Sequence, residues 1–332
     1  MEAKQMELSS NNGTLKRLGR WFVNYAGQLG FLLILIVVLS FSAPSFLKTN
    51  NIINVSRQVS VNMIIACAMT IVLISGGIDL STGSVMAMSG MVSAYLSFSG
   101  FPFVFCALAG ILTGVFSGLI NGLILANTKL PPFIVTYAMQ SILRGVLFVA
   151  TGAGTIRLEN KAYLDFGGSS IGGIPLPVLY MIAVIVIAWL VLGRSKMGRH
   201  IYAIGGNPRA AQFAGINIKR IVVFIYSLCG ACAALAGLVL TSRNTSMQPA
   251  VGVGSEMDAI AAVVLGGTSM AGGQGAIAGT IIGAFIIGII NNGLNLLGMD
   301  SYYQYICKGI VILIAVYMDD VKNKRVLSGK KL

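Results

Sequence analysis

Four charged side chains lie in or beside apolar stretches of this 332-residue sequence, and they are its main candidates for chemistry. Arg144 and Lys308 fall deep in two apolar runs, and Glu256 and Asp258 stand at the start of a third. A charge at such a depth in lipid costs about 3 kcal/mol on insertion scales, so it usually faces a cavity or a partner. Glu256, Asp258 and Asp300 are candidate partners for the two cations. The pattern fits the lining of a path or structural ion pairs, and both readings stay open.

Two glycine-rich stretches carry the remaining polar candidates. The stretch "SGGIDLSTGS" (75–84) contains Asp79 and Ser81, and "LGGTSMAGGQG" (265–275) contains Thr268. Glycine permits backbone turns that other residues resist, so both stretches suit re-entrant segments of a gate. Capping of the next helix by Asp79 or Ser81 explains the first stretch equally well.

A short polar stretch, "GGNPRAAQFAGIN" (205–217), predicts a small helix outside the membrane. Asn207 is a favoured N-cap, Pro208 suits the first helical position, and Gly215 is a good C-terminal stop. A helix of under two turns is marginal alone in water, so something must hold it. The helix would have a small apolar face of Ala210, Ala211, Phe213 and Ala214. Such a face suits a groove on another protein, and the surface of the bilayer is the alternative.

Groups for enzyme or cofactor chemistry are sparse. His200 is the single histidine and stands beside Arg199 in a basic loop. The stretch "GRSKMGR" (193–199) has glycines at phosphate-loop spacing, but Arg199 occupies the position of the required lysine and no strand precedes it. The cysteines show no ligand-like spacing and fit small buried side chains: Cys67, Cys106, Cys229, Cys232 and Cys307. We expect no catalytic residue, metal or cofactor on this chain.

The elements that must position these residues are membrane helices. The chain is 56% hydrophobic and 10% charged, with a mean hydropathy of +0.84, and a soluble domain needs more charge at its surface. Lipid imposes helices, each of roughly 20 apolar residues. The sequence therefore predicts an all-α polytopic membrane protein with about ten transmembrane helices, at 26–43, 59–76, 83–98, 102–126, 133–151, 174–192, 221–240, 257–271, 276–297 and 303–318.

These spans divide the chain into a tail over 1–25, a permease-like domain over 26–318 that includes a basic loop at 193–220, and a tail over 319–332. With ten spans, both tails and the loops at 127–132 and 193–220 lie on the same side of the membrane. These segments hold sixteen of the 23 Lys and Arg residues. Such clustering places both termini in the cytoplasm. The same clustering argues against nucleic-acid binding as the reason for the net charge of +13. Pro44 makes a poor cleavage site, so the first run is a retained helix.

An internal repeat relates predicted spans 2–5 to spans 7–10. Glycines recur every fourth residue in the fourth and ninth spans, and "QSILRGVL" (140–147) resembles "QYICKGIV" (304–311). Corresponding spans run in opposite directions, which is typical of an inverted repeat with a substrate path near mid-membrane. Chance similarity of glycine-rich apolar segments is the other explanation. The glycine faces themselves suit close helix packing rather than binding.

Three motifs carry a family resemblance: "GGIDLSTGSVMAM" (76–88), "GRHIYAIGGNPRAAQFAGI" (198–216) and "DAIAAVVLGGTSMAGGQG" (258–275). In this order they resemble the membrane-spanning permease subunits of ribose-type sugar importers of the ATP-binding cassette class. The resemblance extends from about residue 28 to 318 and is weaker at the tails.

The resemblance implies a multi-pass permease of the bacterial cytoplasmic (inner) membrane, which works by alternating access. It implies a second permease subunit, identical or a sister, two cytoplasmic ATPase subunits that hold ATP and Mg, and an extracytoplasmic solute-binding protein. A coupling helix seats in each ATPase, and carried onto this sequence it comprises Gly206, Asn207, Pro208, Arg209, Ala210, Ala211, Phe213, Ala214 and Gly215.

Two rival functions remain at this stage. A permease for branched-chain amino acids shares the ten-span plan, although "GGIDLSTGS" favours sugar. A secondary carrier shares the inverted repeat but needs ion-coupling acids at mid-membrane, where Asp79 does not lie and only Glu256 and Asp258 approach a span. An intramembrane enzyme is a distant third, because no nucleophile and base occur together. The sugar and the composition of the permease dimer stay open.

Overall fold

A computed structural model of the chain describes residues 25–300 and, beyond them, 302–304, 306, 307, 309, 310, 313 and 317, which are helical. Residues 25–300 form helices α1 to α12, at Tyr25–Ser42, Thr49–Ile74, Thr82–Phe98, Phe103–Asn127, Pro132–Thr151, Lys161–Gly168, Leu176–Arg194, Lys196–Gly206, Pro208–Phe213, Ile218–Arg243, Ser255–Leu265 and Ile277–Leu296. The same residues also form four short strands: β1 Ile156–Arg157, β2 Ser170–Ile171, β3 Ile174–Pro175 and β4 Ser246–Met247.

Seven of the described helices are long and apolar enough to cross a membrane, namely α1, α2, α4, α5, α7, α10 and α12. This establishes a polytopic, all-α membrane protein. The predicted spans from 26–43 to 276–297 all fall on helices, but α3 has 17 residues and α11 only 11. The last predicted span, 303–318, lies largely outside the described residues, so the number ten stays a prediction.

Helix α2 forms the centre of the bundle. Its most apolar window is 83% buried, and it packs against α7, α10, α11 and α12. Near its start, the amides of Asn51 and Asn292 exchange two hydrogen bonds of 2.9 Å. Near its end, the hydroxyls of Thr70 and Thr280 lie 2.6 Å apart. The two contacts show that α2 and α12 run antiparallel along their length.

The glycines of α4 bring this helix into backbone contact with α10. A side chain on Gly114 would overlap the carbonyl of Gly230, and one on Gly118 would overlap the carbonyl of Tyr226. Gly279 and Gly283 of α12 make similar contacts, but with α11. The predicted packing role of these glycines is thus confirmed, although the two glycine rows pack on helices that do not correspond in the repeat.

Helices α3 and α11 both begin inside the bundle. The end of the bundle that carries α8 and α9 is called the α9 end. From this end the segment 75–81 folds inward to start α3, and from the opposite end the segment 248–254 folds inward to start α11. Helix α3 packs on α4 and α10, and α11 packs on α12 and α2. Two re-entrant segments therefore approach each other from opposite ends.

At the opposite end, two small antiparallel pairings fix the connections. Strand β1 pairs with β4, with Ile156 opposite Met247, and β2 pairs with β3. The Ser242 hydroxyl at the end of α10 accepts from the amide of Gly167 at 2.7 Å and donates to the carbonyl of Tyr163 at 2.6 Å. The segments after α5 and after α10 are thus joined, which fixes where the 248–254 segment enters.

Candidate functional site

The predicted short helix is present as α9 and has the expected caps. The Asn207 side chain accepts a hydrogen bond of 3.0 Å from the Ala210 amide, and Pro208 occupies the first turn. Gly215 has a φ of +80°, which glycine adopts without strain. The Phe213 side chain is 92% exposed. A capped helix that presents a bare aromatic ring is suited to insertion into a partner.

The exposed face of α9 differs from the predicted apolar face at one residue. Ala211 is buried and belongs to the main core, so it attaches α9 to the bundle. The exposed residues are Arg209, Ala210, Gln212, Phe213 and Ala214. The prediction was wrong for Ala211 because composition shows which residues are apolar but not which side of a two-turn helix meets the protein.

Helix α8, which the sequence reasoning missed, leads directly into α9. It buries Ile201 and Ile204, and the Tyr202 hydroxyl donates to the carbonyl of Gly275 at 2.7 Å. The spacing of the two isoleucines was a helical signal, but the glycines at both ends of this segment obscured it. Because α8 is tied to the second glycine-rich stretch, α9 is not an isolated appendage.

The two glycine-rich stretches meet at the α9 end. The Gly273 amide donates to the carbonyl of Ile74 at 2.8 Å, which joins the second stretch to the end of α2. Thr268 is fully buried, and a side chain on Gly275 would crowd its hydroxyl. The structure thus brings Thr268 into a compact turn within its own stretch.

Asp79 and Ser81 form a buried polar network between α2 and α3. The Asp79 carboxylate accepts from the Ser81 amide at 2.9 Å and from the Ser81 hydroxyl at 2.6 Å. The Asn121 amide donates to the Ser81 hydroxyl at 3.0 Å. Asp79 is 1% exposed, so the two hydrogen bonds from Ser81 satisfy a carboxyl group that water does not reach. Ser81 occupies the N-cap of α3, but its side chain makes no capping bond, so the pair stabilises the re-entrant turn instead.

Two further side chains, which the sequence reasoning missed, hold this turn at Ile78. The hydroxyls of Thr136 in α5 and Tyr226 in α10 both donate to the Ile78 carbonyl at 3.3 Å. The Thr136 hydroxyl also accepts from the Leu80 amide at 3.1 Å. The 75–81 segment is therefore fixed to two spanning helices. No sequence signal identifies these partners, because hydroxyls are common in such helices.

Arg144 binds backbone rather than a carboxylate. Its Nη1 donates to the carbonyl of Val251 at 2.9 Å and to that of Pro249. Both carbonyls belong to the non-helical 248–254 segment, so they are available to accept. Among the acids named as candidate partners, Glu256 interacts with Arg144 through its charge but not through a hydrogen bond. Whether Arg144 lines a path or serves a structural pair stays a prediction. Lys308, the other predicted cation, lies outside the described residues.

Glu256 begins α11 against the start of α3. It is 4% exposed, and its Oε1 accepts from Gln140 of α5 at 3.1 Å and from the Gly254 amide at 3.3 Å. A side chain on Gly83 would overlap Glu256 Oε2 and the Gly252 carbonyl. The first turns of α3 and α11 therefore converge deep in the bundle, a close approach that neither segment's composition reveals.

Asp258 lies in the same first turn of α11 as Glu256 but takes part in a different contact. Its Oδ2 accepts from the Asn291 side chain of α12 at 3.2 Å. The two acids that were grouped in the sequence thus serve different helices, with Glu256 facing α5 and Asp258 facing α12.

The outer side of α5 carries a polar patch at the middle of the helix, beside the exposed apolar side chain of Ile142. Tyr137 and Ser141 are exposed, and Gln140 and Arg144 are partly exposed. Polar side chains at such a depth usually face a water-filled cavity or another protein rather than lipid. This side of α5, together with the first turn of α11, is the candidate path surface.

Comparison with known proteins agrees with this architecture. The family model described as branched-chain amino acid transport system, permease component, matches residues 51–316. The ribose import permease protein RbsC of Bacillus subtilis (strain 168) is 46% identical over 94% of this chain and 95% of its own. The D-allose transport system permease protein AlsC of Escherichia coli (strain K12) is 40% identical over 89% and 91%. The fructose import permease protein FrcC of Rhizobium meliloti is 38% identical over 79% and 76%. No solved structure matches.

Proposed function

This chain belongs to the transport-permease family whose model spans residues 51–316, and on that premise we propose that it is the permease subunit of an ATP-binding cassette importer for a sugar. It forms the membrane path, and the energy comes from ATPase subunits. ATP and Mg bind to those partner subunits. The relatives named for ribose, allose and fructose support a monosaccharide as the solute.

The observation that carries this proposal is helix α9 with its exposed Phe213. A secondary carrier has no need for a capped helix that offers a bare ring at one end of the bundle. An importer needs such a helix to dock on each ATPase. Burial of a phenylalanine side chain contributes about 2 kcal/mol, enough to anchor the contact.

The amino acid alternative is supported only by the description of the family model. Relatives named for ribose, allose and fructose cover 94%, 89% and 79% of the chain, and the ribose permease is 46% identical. We therefore favour a sugar over a branched-chain amino acid.

We propose that the fold is an inverted repeat of spans 2–5 and 7–10 within a ten-span bundle. In support, α3 and α11 both begin inside the bundle after re-entrant segments that enter from opposite ends. Their neighbours also correspond, since α3 packs on α4 and α10 while α11 packs on α12 and α2. Discontinuous helices whose N-termini meet at mid-membrane are typical of transporters with inverted repeats.

The polar side of α5 supports a second permease subunit as partner. We propose that Ser141, Gln140 and Arg144 face a cavity between two permeases, through which the sugar passes. Closure of the ATPases moves α9, and the bundle then changes the side to which this cavity opens. An extracytoplasmic binding protein supplies the sugar to the opposite end.

The α9 end faces the cytoplasm in this proposal, and both termini lie on that side of a bacterial inner membrane. The basic residues of α8, α9 and their flanks support this orientation through the positive-inside rule: Arg194, Lys196, Arg199, Arg209, Lys219 and Arg220.

The test is a gentle-detergent pull-down of the tagged protein from its native membranes, with partners identified by mass spectrometry. We expect an ATPase with a phosphate-binding loop and a second permease subunit in the wild-type sample. We expect the ATPase to be lost when residues 207–215 are replaced by a flexible linker of equal length. Uptake of radiolabelled ribose, allose and fructose then identifies the solute.

Recovery of the protein without an ATPase, together with normal uptake, would show that the chain is a secondary carrier. Retention of the ATPase by the linker variant would show that α9 is not the docking element. Membrane abundance of the linker variant is measured alongside, so that loss of the protein is distinguished from loss of docking.

A further inference from the structure

Three backbone segments meet at one point at the α9 end. Ile74 is the last residue of α2, and Gly76 comes just after it. Gly205 lies in the last turn of α8, and Gly272 and Gly273 belong to the second glycine-rich stretch. A side chain on Gly205 would overlap the Ile74 carbonyl and crowd the Gly273 amide. A Cβ on Gly272 would lie 3.0 Å from the Gly205 carbonyl oxygen and from the Gly76 Cα. These five residues are called the glycine junction.

The glycine at position 205 is required for space rather than for backbone conformation. Gly205 is helical and does not have a positive φ. Glycine inside a helix destabilises it relative to alanine, so the residue works against the stability of α8. Gly205 instead allows the main chains of α2, α8 and the second glycine-rich stretch to pack against one another without an intervening side chain.

The glycine junction is continuous with α9. Only Asn207 separates α8 from α9; its amide donates to the Ala203 carbonyl and its carbonyl accepts from the Ala211 amide, both at 3.0 Å. The Tyr202 hydroxyl adds a second tie, to the Gly275 carbonyl at 2.7 Å. A displacement of α9 must therefore move α8, because the hydrogen bonds of both helices run through one residue.

The glycine junction is also connected to the helices next to both re-entrant segments. Ile74 ends α2 just before the segment that holds Asp79, and Gly273 precedes α12, which packs on α11. Close-packed backbone is nearly incompressible and transmits displacement rather than absorbing it. We propose that the glycine junction transmits movement of α9 to both halves of the bundle, with Gly205 as the positioning residue. This inference rests on the proposed function.

The experiment compares Gly205→Ala with Gly193→Ala in the intact importer, assembled with the ATPase recovered in the pull-down and supplied with its solute-binding protein. A Cβ on Gly193 has its nearest neighbour at 3.9 Å, so this control adds the same methyl group without a clash. For Gly205→Ala we expect about a tenfold loss of sugar uptake. We also expect the ATPase to stay bound and its ATP hydrolysis to stop responding to sugar-loaded binding protein. Gly193→Ala should behave as the wild type does.

Tyr202→Phe provides a second variant that adds no volume and keeps the protein folded. It removes the tie to Gly275, so we expect a smaller loss of uptake at normal membrane abundance and with the ATPase retained. If Gly205→Ala does not accumulate in membranes, Tyr202→Phe becomes the test of the proposal. Normal sugar uptake and a normal ATPase response in Tyr202→Phe would then overturn it.

Normal uptake by Gly205→Ala at normal abundance would overturn the inference. So would loss of ATPase binding in this variant, because Gly205 would then act in docking and not in transmission. Failure of the wild-type complex to contain any ATPase would instead overturn the proposed function, so the two failures are distinguishable.

Discussion

Arg144 shows how a charge can be kept deep in an apolar bundle without a counter-ion at hydrogen-bonding distance. Its guanidinium binds the carbonyls of Pro249 and Val251, which are free because the 248–254 segment is not helical. The sequence suggested acids as partners for Arg144 and gave no sign of these backbone carbonyls. Apolar patterning does not reveal that a segment 105 residues away is unwound, and only the folded bundle supplies those carbonyls.

The first prediction concerns the two hydrogen bonds of Arg144. Arg144→Met removes both hydrogen bonds while it keeps most of the side-chain volume, so we expect the stability of the permease to fall by about 2 kcal/mol. Arg144→Lys keeps the charge but replaces a planar fork with a compact ammonium, so its effect should be intermediate. The thermal unfolding midpoint of the purified protein in detergent measures both. Equal midpoints for wild type and Arg144→Met would show that the 248–254 segment is held by other contacts.

Local rules made the caps of α9 predictable. The roles of Asn207, Pro208 and Gly215 depend on the chemistry of neighbouring residues, and the structure has all three where capping rules place them. The inward position of Ala211 depends on what the helix packs against, which local rules do not contain. The ties of Thr136, Tyr226 and Gln140 were missed for the same reason.

At the scale of elements, hydropathy located helices better than it located their ends. The predicted span 257–271 ends in the structure at Leu265, because Gly266 and Gly267 turn the chain and Gly267 has a φ of +86°. Conversely, α2 begins ten residues before its predicted span of 59–76, at Thr49. Polar residues such as Asn51 continue this helix because Asn292 satisfies them, and a hydropathy average counts them only as interruptions.

The second prediction concerns α9 as a docking element. Because Phe213 is 92% exposed, Phe213→Ala should leave the unfolding midpoint of the isolated permease unchanged. The same change should weaken ATPase binding by about 2 kcal/mol, or roughly 30-fold. Titration of the purified ATPase against permease in detergent or nanodiscs measures the affinity.

Ala211→Asp is the complementary variant on the other side of the same helix. Ala211 is buried in the core, so a carboxylate there should lower the unfolding midpoint of the permease itself. A lower midpoint for Phe213→Ala, or an unchanged one for Ala211→Asp, would contradict the orientation of α9 described above.

At the scale of the whole molecule, two kinds of outer surface can be distinguished. The exposed side of α4 is apolar, with Leu112 at 64% exposure, whereas that of α5 carries Ser141 and its polar neighbours. We expect only the second surface to meet water in the assembled importer. The third prediction uses this difference.

Ser141→Cys, in a background without the five native cysteines, should react with a small water-soluble thiol reagent in native membranes. Leu112→Cys in the same background should not react, because a thiol in lipid does not ionise. Mass spectrometry of the labelled protein measures both rates. Equal rates would show that the outer side of α5 is not a path surface.

The paired amides of Asn51 and Asn292 also constrain how the protein is made. They are 241 residues apart in the chain, which at about 5–20 residues per second corresponds to roughly 12–48 s of translation. During that interval α2 leaves the ribosome before most of the helices that will enclose it exist. A cell must therefore hold α2 in an open membrane environment until α12 has been synthesised. Truncation before α12 would leave α2 without the helix that supplies both Asn292 and Thr280.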